Sequence, residues 1–316
     1  MRFSDEKIEG ARNFMNKIWN ASRFVLLNAE GIEILPIKEC KTNVVDKWII
    51  YKLNKTIKEV TVNMEKYEMG IALSNLYDFV WSDFCDWYIE LTKPVLYGED
   101  DKKRQNTVSV LVYVLGEILK LLHPFVPFIT EKIYKDIPGE HGPLMIEEFP
   151  RYNSRLNFSM AAREVEFIKE IIKTIRNIKA KSGALPSKKV TLKIKTDKKN
   201  VVKNCGIYVE KLAGVDSIVY TEDSAGASDN SVSQVIDGAE LFVPLGELVD
   251  FEEELKRLNK ELEKVENEIK RADGKLSNQG FLDKAPKFLV DAEREKLNKY
   301  IDMRKKLYSQ IKGIKG

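Results

Sequence analysis

The stretch Leu248–Leu276, LVDFEEELKRLNKELEKVENEIKRADGKL, places apolar residues at alternating spacings of three and four. The series runs without a miss through Leu248, Phe251, Leu255, Leu258, Leu262, Val265, Ile269, Ala272 and Leu276. This is the heptad pattern of a coiled coil, in which one apolar seam of a helix packs against a partner helix. The pattern therefore predicts a helical arm of about 26 residues that is roughly 40 Å long.

A second apolar series follows a short break in this pattern. Asp273-Gly274 and Asn278-Gln279-Gly280 interrupt the first arm, and Pro286 is suited to begin another helix. The seam then resumes at Val290, Leu297, Tyr300, Leu307, Ile311 and Ile314, with Glu293 and Arg304 at polar seam positions. Two such helices joined by a short break are expected to fold back on each other, so residues 248–316 are predicted to form an antiparallel coiled-coil hairpin.

Residues 1–150 show helical spacing almost throughout and predict an up-and-down helical bundle. The expected helices follow Ser4, cover about 43–67, 69–91 and 105–122, and begin again at Pro127. The third of these helices is expected to stop before Lys93-Pro94. The most apolar stretch, Val108–Ile129, contains two charged residues and two prolines, which favours a buried bundle helix over a membrane span.

Residues 151–247 change character and predict a connecting helix followed by a small α+β subdomain. The helix covers about 161–181, and strict alternation over 190–195 predicts a strand. A short helix near 201–212 and strands at 218–220 and 241–243 follow, and 222–230 is expected to be a loop. The fold class predicted for the whole chain is therefore mainly α, with three domains at 1–150, 151–247 and 248–316.

The bulk composition restricts the classes of function. Lys and Arg total 52 against 49 acidic residues, so the net charge is only +3, and a nucleic-acid partner would have to be held by local patches. The three cysteines, Cys40, Cys85 and Cys205, are widely spaced and include no CxxC pair, which argues against a disulfide framework or a zinc site. With no apolar signal segment after Met1, a reduced cytoplasmic location is expected.

No catalytic constellation is found in the sequence. His123 and His141 are interpreted as a helix-end residue and a turn residue, and no HExxH, P-loop or nucleophile-elbow motif occurs. Asp83, Asp86 and Glu90 could in principle serve acid–base chemistry, but a solvated or salt-bridged helix face is the favoured interpretation. We therefore expect no catalytic residue, no metal site and no cofactor in this chain.

The first helix carries a polar stripe that suits RNA. With Met15 at the centre of the presumed core face, Ile8, Ala11, Ile18 and Ser22 lie beside it on a helical wheel. The opposite side carries Asn13, Lys17, Asn20 and Phe24, flanked by Asn16 and Arg23. Unpaired bases stack on aromatic rings and bond to amide side chains. The alternative is that Phe24 packs against a neighbouring helix and that the amides are merely solvated.

Basic residues cluster at two further places. Lys169, Lys173 and Arg176 share one face of the 161–181 helix, and the second arm holds Lys275, Lys284, Lys287 and Arg294. From Lys275 onward there are eleven Lys or Arg residues against five acids, whereas 248–274 holds six against nine. This asymmetry favours contact with nucleic-acid backbone phosphates over an ordinary solvated face.

Three motifs in the bundle resemble the anticodon-binding domain of one subgroup of class I aminoacyl-tRNA synthetases. They are GARNFMNKIWNASRF at 10–24, WSDFCDWYIE at 81–90 and LHPFVPFITE at 122–131. The tail resembles the valyl-tRNA synthetase family in particular, through GELVD at 246–250, the heptads, KLSNQGF at 275–281 and KAP at 284–286. The cysteine-rich zinc end that is common in isoleucyl enzymes is not present.

This resemblance implies that the bundle reads the anticodon of valine tRNA and that the hairpin braces the outer corner of the tRNA. It also favours the RNA-binding role of Phe24. The family's Rossmann catalytic domain, its HIGH-type and KMSKS-type motifs, its editing domain and its ATP and Mg²⁺ sites would lie upstream of Met1. A monomeric, catalytically inactive tRNA-binding chain is expected. A free-standing RNA-binding protein or tRNA chaperone, and a coiled-coil interaction scaffold, remain alternatives.

Overall fold

The computed structural model describes residues 5–139, 141–224, 227, 230–248, 251–277 and 287–315. Within this part of the chain the first half is helical. Its elements are α1 (Asp5–Ala29), α2 (Val44–Glu65), α3 (Met69–Asp78), a π-helical segment (Phe79–Tyr88), α4 (Ile89–Leu96), α5 (Asp101–Leu122), α6 (Pro127–Tyr134) and a 3₁₀ turn (Leu144–Ile146). The predicted helical bundle is confirmed.

Helix α5 forms the centre of the bundle. Val108, Leu111, Val114, Leu119 and Leu122 are fully buried in it. Among the described helices, α5 alone is long and apolar enough to cross a membrane by length and composition, and 67% of that apolar window is buried inside the protein. The predicted buried bundle helix is therefore confirmed.

The third predicted helix is longer than expected, and its predicted end before Pro94 was wrong. The chain continues as one rod from α3 through the π-helical segment into α4, where Pro94 lies inside the helix. The Ile89 N–H donates to the Phe84 carbonyl, five residues back, which is the wide turn of a π-helix. The Tyr97 N–H still reaches the Lys93 carbonyl at 3.0 Å, so the rod closes one more turn after the proline.

The buried face of α1 differs from the predicted one. Ile8 is 50% exposed and Ala11 is exposed, whereas the buried residues are Phe14, Ile18, Ala21, Ser22, Val25 and Ala29. On a helical wheel this face is centred about 70° from Met15. The cause is an aromatic cluster: the Phe14 ring lies 4.6 Å from the Tyr77 ring and 6.5 Å from the Trp81 ring.

The small α+β subdomain follows the connecting helix α7 (Ser159–Lys181). It contains β1 (Val190–Lys195), α8 (Lys199–Ala213), β2 (Val215–Tyr220), β3 (Ser231–Ile236), β4 (Ala239–Pro244) and α9 (Leu245–Leu248). The sheet order is β2-β1-β4-β3, with β1 parallel to β2 and β4 antiparallel to both of its neighbours. This arrangement confirms the predicted α+β unit.

Strand β3 was not predicted from the sequence. It is an edge strand in which half of the residues are exposed and none is fully buried, so no buried alternation marks it. The turn Asp237-Gly238, where Gly238 has φ +85°, joins β3 to β4. The predicted loop at 222–230 lies partly outside the described residues.

A single hydrophobic core continues across residue 150, where a domain boundary was predicted. This core extends from Phe14 in α1 to Leu248 in α9. Helix α7 contributes to it with one face and meets α2 on one side and α8 on the other. At the end of α7, the buried Lys179 ammonium donates to the carbonyls of Ala213 at 2.7 Å and Gly214 at 3.0 Å, which links α7 to the end of α8.

The coiled-coil hairpin consists of α10 (Phe251–Leu276) and α11 (Lys287–Lys315). Its described seam contains Leu262, Val265, Ile269, Ala272, Val290, Tyr300 and Leu307. The pairs Lys275–Glu293 and Glu268–Lys296 show that the two arms are antiparallel. Leu248 was predicted to start the seam, but it is 1% exposed in the main core instead. The side chains of Phe251, Leu255, Leu258, Ile311 and Ile314 lie outside the described part.

A buried carboxylate ties α2 to the rest of the bundle. Asn43 and Asp46 form a capping box at the start of α2, and the Tyr88 hydroxyl donates to Asp46 at 2.8 Å. Asp46 is 1% exposed, and burial raises its pKa to about 6 despite the hydrogen bonds that it accepts. The folded state therefore holds a proton on Asp46 at pH values where the unfolded chain has lost it.

We predict that this proton makes stability depend on pH. The contribution of the raised pKa is fully present below pH 4 and is lost as pH rises through about 6, a change of about 3 kcal/mol in the free energy of unfolding. Urea unfolding of the wild type and Asp46→Asn between pH 4 and pH 8 measures it. The difference in the free energy of unfolding between the two proteins should change between pH 4 and pH 6 and stay constant above pH 7. An equal pH dependence in both proteins would show that Asp46 does not titrate in this range.

Candidate nucleic-acid interface

The solvent face of α1 presents the first candidate surface. Asn13, Asn16, Asn20 and Arg23 are exposed there, as predicted. Trp19, with 45% of its surface exposed, stands among them beside a hollow of about 420 Å³ between α1 and the end of α6. Apolar side chains line this hollow, including Leu26, Leu27, Ile133 and Pro138. An aromatic ring, amide groups and a guanidinium therefore share one exposed face.

Two residues of the predicted stripe turn toward the bundle instead. The Lys17 ammonium lies 2.6 Å from an Asp86 carboxylate oxygen and 3.7 Å from the centroid of the Trp81 ring. Phe24 is partly buried against the core, and the Lys93 ammonium lies 6.0 Å from its ring centroid. The geometry agrees with the packing alternative for Phe24, and stacking of a base on Phe24 stays a prediction.

Trp19 was missed because the helical wheel was centred on Met15. That centre placed Trp19 only 40° from the presumed core face, whereas the observed centre places it on the far side. The signal that could have identified it is Phe14, which is the more apolar neighbour of Met15 and would have rotated the wheel. A tryptophan with almost half of its surface in water is unusual for a large aromatic residue and favours a binding role.

The prediction that Lys169 contacts tRNA phosphates was wrong. Lys169 is only 4% exposed, and its ammonium lies 3.3 Å from Asp83 and 3.0 Å from Glu166. It also lies 4.6 Å from the Trp48 ring centroid and 5.3 Å from that of Trp87. A buried cation with two carboxylate partners is a structural element of the bundle and is not available to an external phosphate.

Lys52 completes an alternating network of four charges at this position. Its ammonium lies 3.0 Å from Asp83 and 3.6 Å from Glu166, so each carboxylate meets both lysines. Burial lowers the pKa of Lys52, but the two carboxylates outweigh it and leave the pKa above its ordinary value. Burial likewise raises the pKa of Glu166, and the nearby lysines and the Trp48 N–H bring it below its ordinary value.

The predicted salt-bridged face at Asp83, Asp86 and Glu90 is confirmed. Asp86 pairs with Lys17, and Glu90 pairs with Lys93 at 2.5 Å. None of these three carboxylates stands unpaired in a cleft. The interpretation of these residues as general acids or bases has no geometric support.

Lys173 and Arg176 remain exposed on α7. The Arg176 Nε donates to the Leu212 carbonyl at 2.8 Å, which leaves the rest of the guanidinium facing solvent. The Lys173 ammonium lies 5.5 Å from the Trp87 ring centroid. Both side chains can therefore meet a phosphate, and their contact with tRNA stays a prediction.

On the hairpin, Arg294 is exposed and Lys275 pairs with Glu293 at 3.2 Å. Lys284 and the side chain of Lys287 lie outside the described residues. Lys296 pairs with Glu268 at 3.7 Å across the two arms. Exposed pairs of this kind are weak, so these lysines can exchange a carboxylate partner for a phosphate.

The histidines are held by local hydrogen bonds. His123 Nδ1 lies 2.9 Å from the Thr130 hydroxyl, and His141 Nε2 lies 3.0 Å from the Ile137 carbonyl. Burial raises the pKa of Cys85 to about 12 and that of Cys205 to about 11, so neither thiol is activated. Among the described side chains, no group of three or more His, Cys, Asp or Glu residues is placed to hold a metal ion.

Comparison with known proteins places these surfaces in context. Residues 46–195 match the family model of the anticodon-binding domain of tRNA ligase, and residues 250–315 match that of the valyl tRNA synthetase tRNA binding arm. Over almost the whole chain it is 45% identical to a valine–tRNA ligase of Clostridium perfringens, and 42% identical to those of Enterococcus faecalis and Geobacillus stearothermophilus. The matched region includes 98–100% of this chain but only 36% of the length of each of these relatives. The first of these matches runs past the predicted boundary at residue 150, and the second lies within the predicted hairpin.

The structural role of Lys169 leads to a prediction about stability. Lys169→Ala should lower the free energy of unfolding by about 2–4 kcal/mol, because it removes the buried cation of the network and leaves Asp83 and Glu166 with Lys52 as their remaining cation. Lys173→Ala, on the same face one turn away but exposed, should change it by less than about 0.5 kcal/mol. Urea denaturation of both variants at pH 7 measures the difference. Equal losses in the two variants would contradict the assigned network.

Proposed function

Because the chain carries the anticodon-binding domain and the tRNA-binding arm of the valyl-tRNA synthetase family, we propose that it binds valine tRNA at two separate places. The observation that carries the proposal is the pairing of an exposed base-reading face on α1 with a basic hairpin in one chain. The bundle would read the anticodon, and the hairpin would brace the outer corner of the tRNA.

The α1 face has the groups that recognise unpaired bases. Trp19 offers a flat ring for stacking, while the Asn16 and Asn20 amides can donate to and accept from base edges. The guanidinium of Arg23 can bond to a phosphate or stack on a base. In this proposal Phe24 supports the face from beneath by packing, and Lys17 fixes the position of the π-helical segment through Asp86 and Trp81.

The hairpin would contribute mainly electrostatic affinity. Its second arm and lead-in hold eleven Lys or Arg residues against five acids, and Lys275, Lys284, Lys287 and Arg294 lie in the sequence at or near the break between the two arms. Contacts with phosphates position a nucleic acid without reading its sequence. The hairpin is therefore expected to hold any tRNA of suitable shape, and the bundle to supply the choice among anticodons.

We further propose that this chain contributes binding and not chemistry. The groups considered for acid–base chemistry are engaged in ion pairs or local hydrogen bonds, namely Asp83, Asp86, Glu90, His123 and His141. In the valine–tRNA ligase of which it would form a part, ATP and Mg²⁺ would be bound by another domain. A monomer in the reduced cytoplasm is consistent with the unactivated, unpaired cysteines.

The anticodon face is tested by removing aromatic rings. Trp19→Ala should weaken binding of valine tRNA by about 1–3 kcal/mol, as expected for loss of one stacked base, and leave the melting temperature unchanged. Phe24→Ala should lower the melting temperature because it removes a ring packed on the core. Asn20→Ala should reduce the preference for the valine anticodon over another anticodon in filter binding. Unaltered affinity of Trp19→Ala would place the anticodon site elsewhere.

The hairpin is tested by charge and salt. Reversing Lys284 and Lys287 to Glu should weaken binding of any tRNA, and each lost phosphate contact should reduce the slope of log K against log salt by about 0.7–0.9. Truncation after Leu248, which keeps this core residue in place, should leave a folded helical protein with a smaller slope. If neither variant changes the slope, the hairpin does not touch RNA and a protein partner becomes the better explanation.

A further inference from the structure

Apart from Lys173, the residues of a groove on the side of the bundle do not belong to the surfaces described so far. It runs along α2, between this helix, α7 and the turn between β3 and β4. One part has a volume of about 890 Å³ and the other about 480 Å³, and both are lined by Tyr51 and Lys55. The two parts are therefore continuous. No residue of α1 lines either of them.

Cations dominate the walls of this groove. Helix α2 supplies Lys52, Lys55 and Lys58 at a spacing of three residues, and Arg163, Lys173 and Lys198 face them. The acids along the groove are Glu59, Glu166, Glu170 and Asp237. Glu166 is already bound in the buried network and Glu59 pairs with Lys55 at 3.6 Å. The local balance is thus positive on a chain whose total charge is only +3.

Four of these cations have no acidic partner within the described part of the chain: Lys58, Arg163, Lys173 and Lys198. Three of them lie over aromatic rings instead. The Lys198 ammonium is 4.4 Å from the Phe167 ring centroid, and that of Lys58 is 5.2 Å from the Tyr152 ring centroid. Cations held against rings and not neutralised by carboxylates keep their charge for an external anion.

The groove also offers a flat surface for stacking. Tyr152 is 47% exposed, and the segment that carries it is fixed to α2. The Asn54 amide donates to the Asn153 carbonyl at 2.9 Å, and the Asn153 N–H donates to the Asn54 side-chain oxygen at 2.9 Å. This paired contact holds the Tyr152 ring beside Lys58. Asn157, which is exposed, adds a further amide at the same end.

We propose that this groove binds a single strand of RNA, as a third contact surface on the same chain. Aligned cations interleaved with an exposed ring and amides are the features of single-strand RNA sites, where phosphates follow the charges and bases stack on rings. An acidic peptide would satisfy the cations but would leave the ring and the amides unused. The proposal rests on the proposed tRNA-binding function for the identity of the natural strand. It does not depend on either the α1 face or the hairpin.

The test uses the full chain and two probes, valine tRNA and a 12-nucleotide oligouridine. The groove variant is Lys55→Glu with Lys58→Glu, and its matched control is Lys102→Glu with Lys103→Glu in the first turn of α5, outside the groove. The groove variant should bind both probes at least tenfold more weakly, and its salt slope on oligouridine should fall by about 1.4 for two lost phosphate contacts. The control should stay within twofold of the wild type. Tyr152→Ala should weaken oligouridine binding with an unchanged salt slope.

The outcomes separate the two proposals. If the wild type binds tRNA and the groove variant keeps its affinity and slope, the groove proposal is overturned and the tRNA-binding function stands. If the wild type binds oligouridine but not tRNA, and the groove variants lose oligouridine binding, the groove proposal stands without the tRNA-binding function. Binding of neither probe by the wild type would refute both. Displacement of oligouridine by polyglutamate as effectively as by RNA would show a general anion site and overturn the RNA assignment.

Discussion

Two lysines and two carboxylates interlock where α2, the π-helical segment and α7 meet. Lys52 and Lys169 each contact both Asp83 and Glu166, and the Trp48 indole N–H donates to Glu166 at 3.0 Å. Buried charges are tolerated only with partners in good geometry, so this arrangement fixes how three elements cross. Helix α7 in turn carries the α+β subdomain through Arg176 and Lys179. The position of the subdomain and of the groove beside α2 thus depends on the network.

The sequence predicted those helices and strands whose apolar residues repeat at one regular spacing. The heptad seam is the clearest case, because alternating steps of three and four need no knowledge of the partner helix. The alternation in β1 and the apolar run in α5 were identified for the same reason. Strand β3 was missed because an edge strand with no fully buried residue shows no such period. The rod from α3 to α4 continues past Pro94, because the proline lies in the last turn of α4 and the Tyr97 N–H still donates to the Lys93 carbonyl.

The candidate site was also predicted only in those features that do not depend on contacts between distant residues. Asn13, Asn16, Asn20 and Arg23 were correctly expected to face solvent, since polar residues on a helix rarely face a core. The core face is rotated by about 70° from the expected one, which leaves Trp19 and Phe24 each about 110° from its centre, so the wheel alone does not decide which ring is exposed. The structure exposes 45% of Trp19 and packs Phe24 partly against the core. That rotation is set by the contact of Phe14 with Tyr77 and Trp81, residues more than sixty positions away in the sequence. A helical wheel contains no information on such a contact.

The number of lysines in a segment is a poor guide to which of them can contact a phosphate. Lys17 and Lys169 were candidates for RNA contact in the sequence, yet each is held by a carboxylate within the bundle. A chain with a net charge of +3 attracts a polyanion best where cations are left without such partners or share only a weak, exposed pair. In the described part of the bundle and subdomain such cations include those along the groove and on the outer face of α7. The paired lysines hold the scaffold rigid, and the unpaired ones remain free to meet phosphate, so the division between the two sets is made by tertiary packing and not by the sequence.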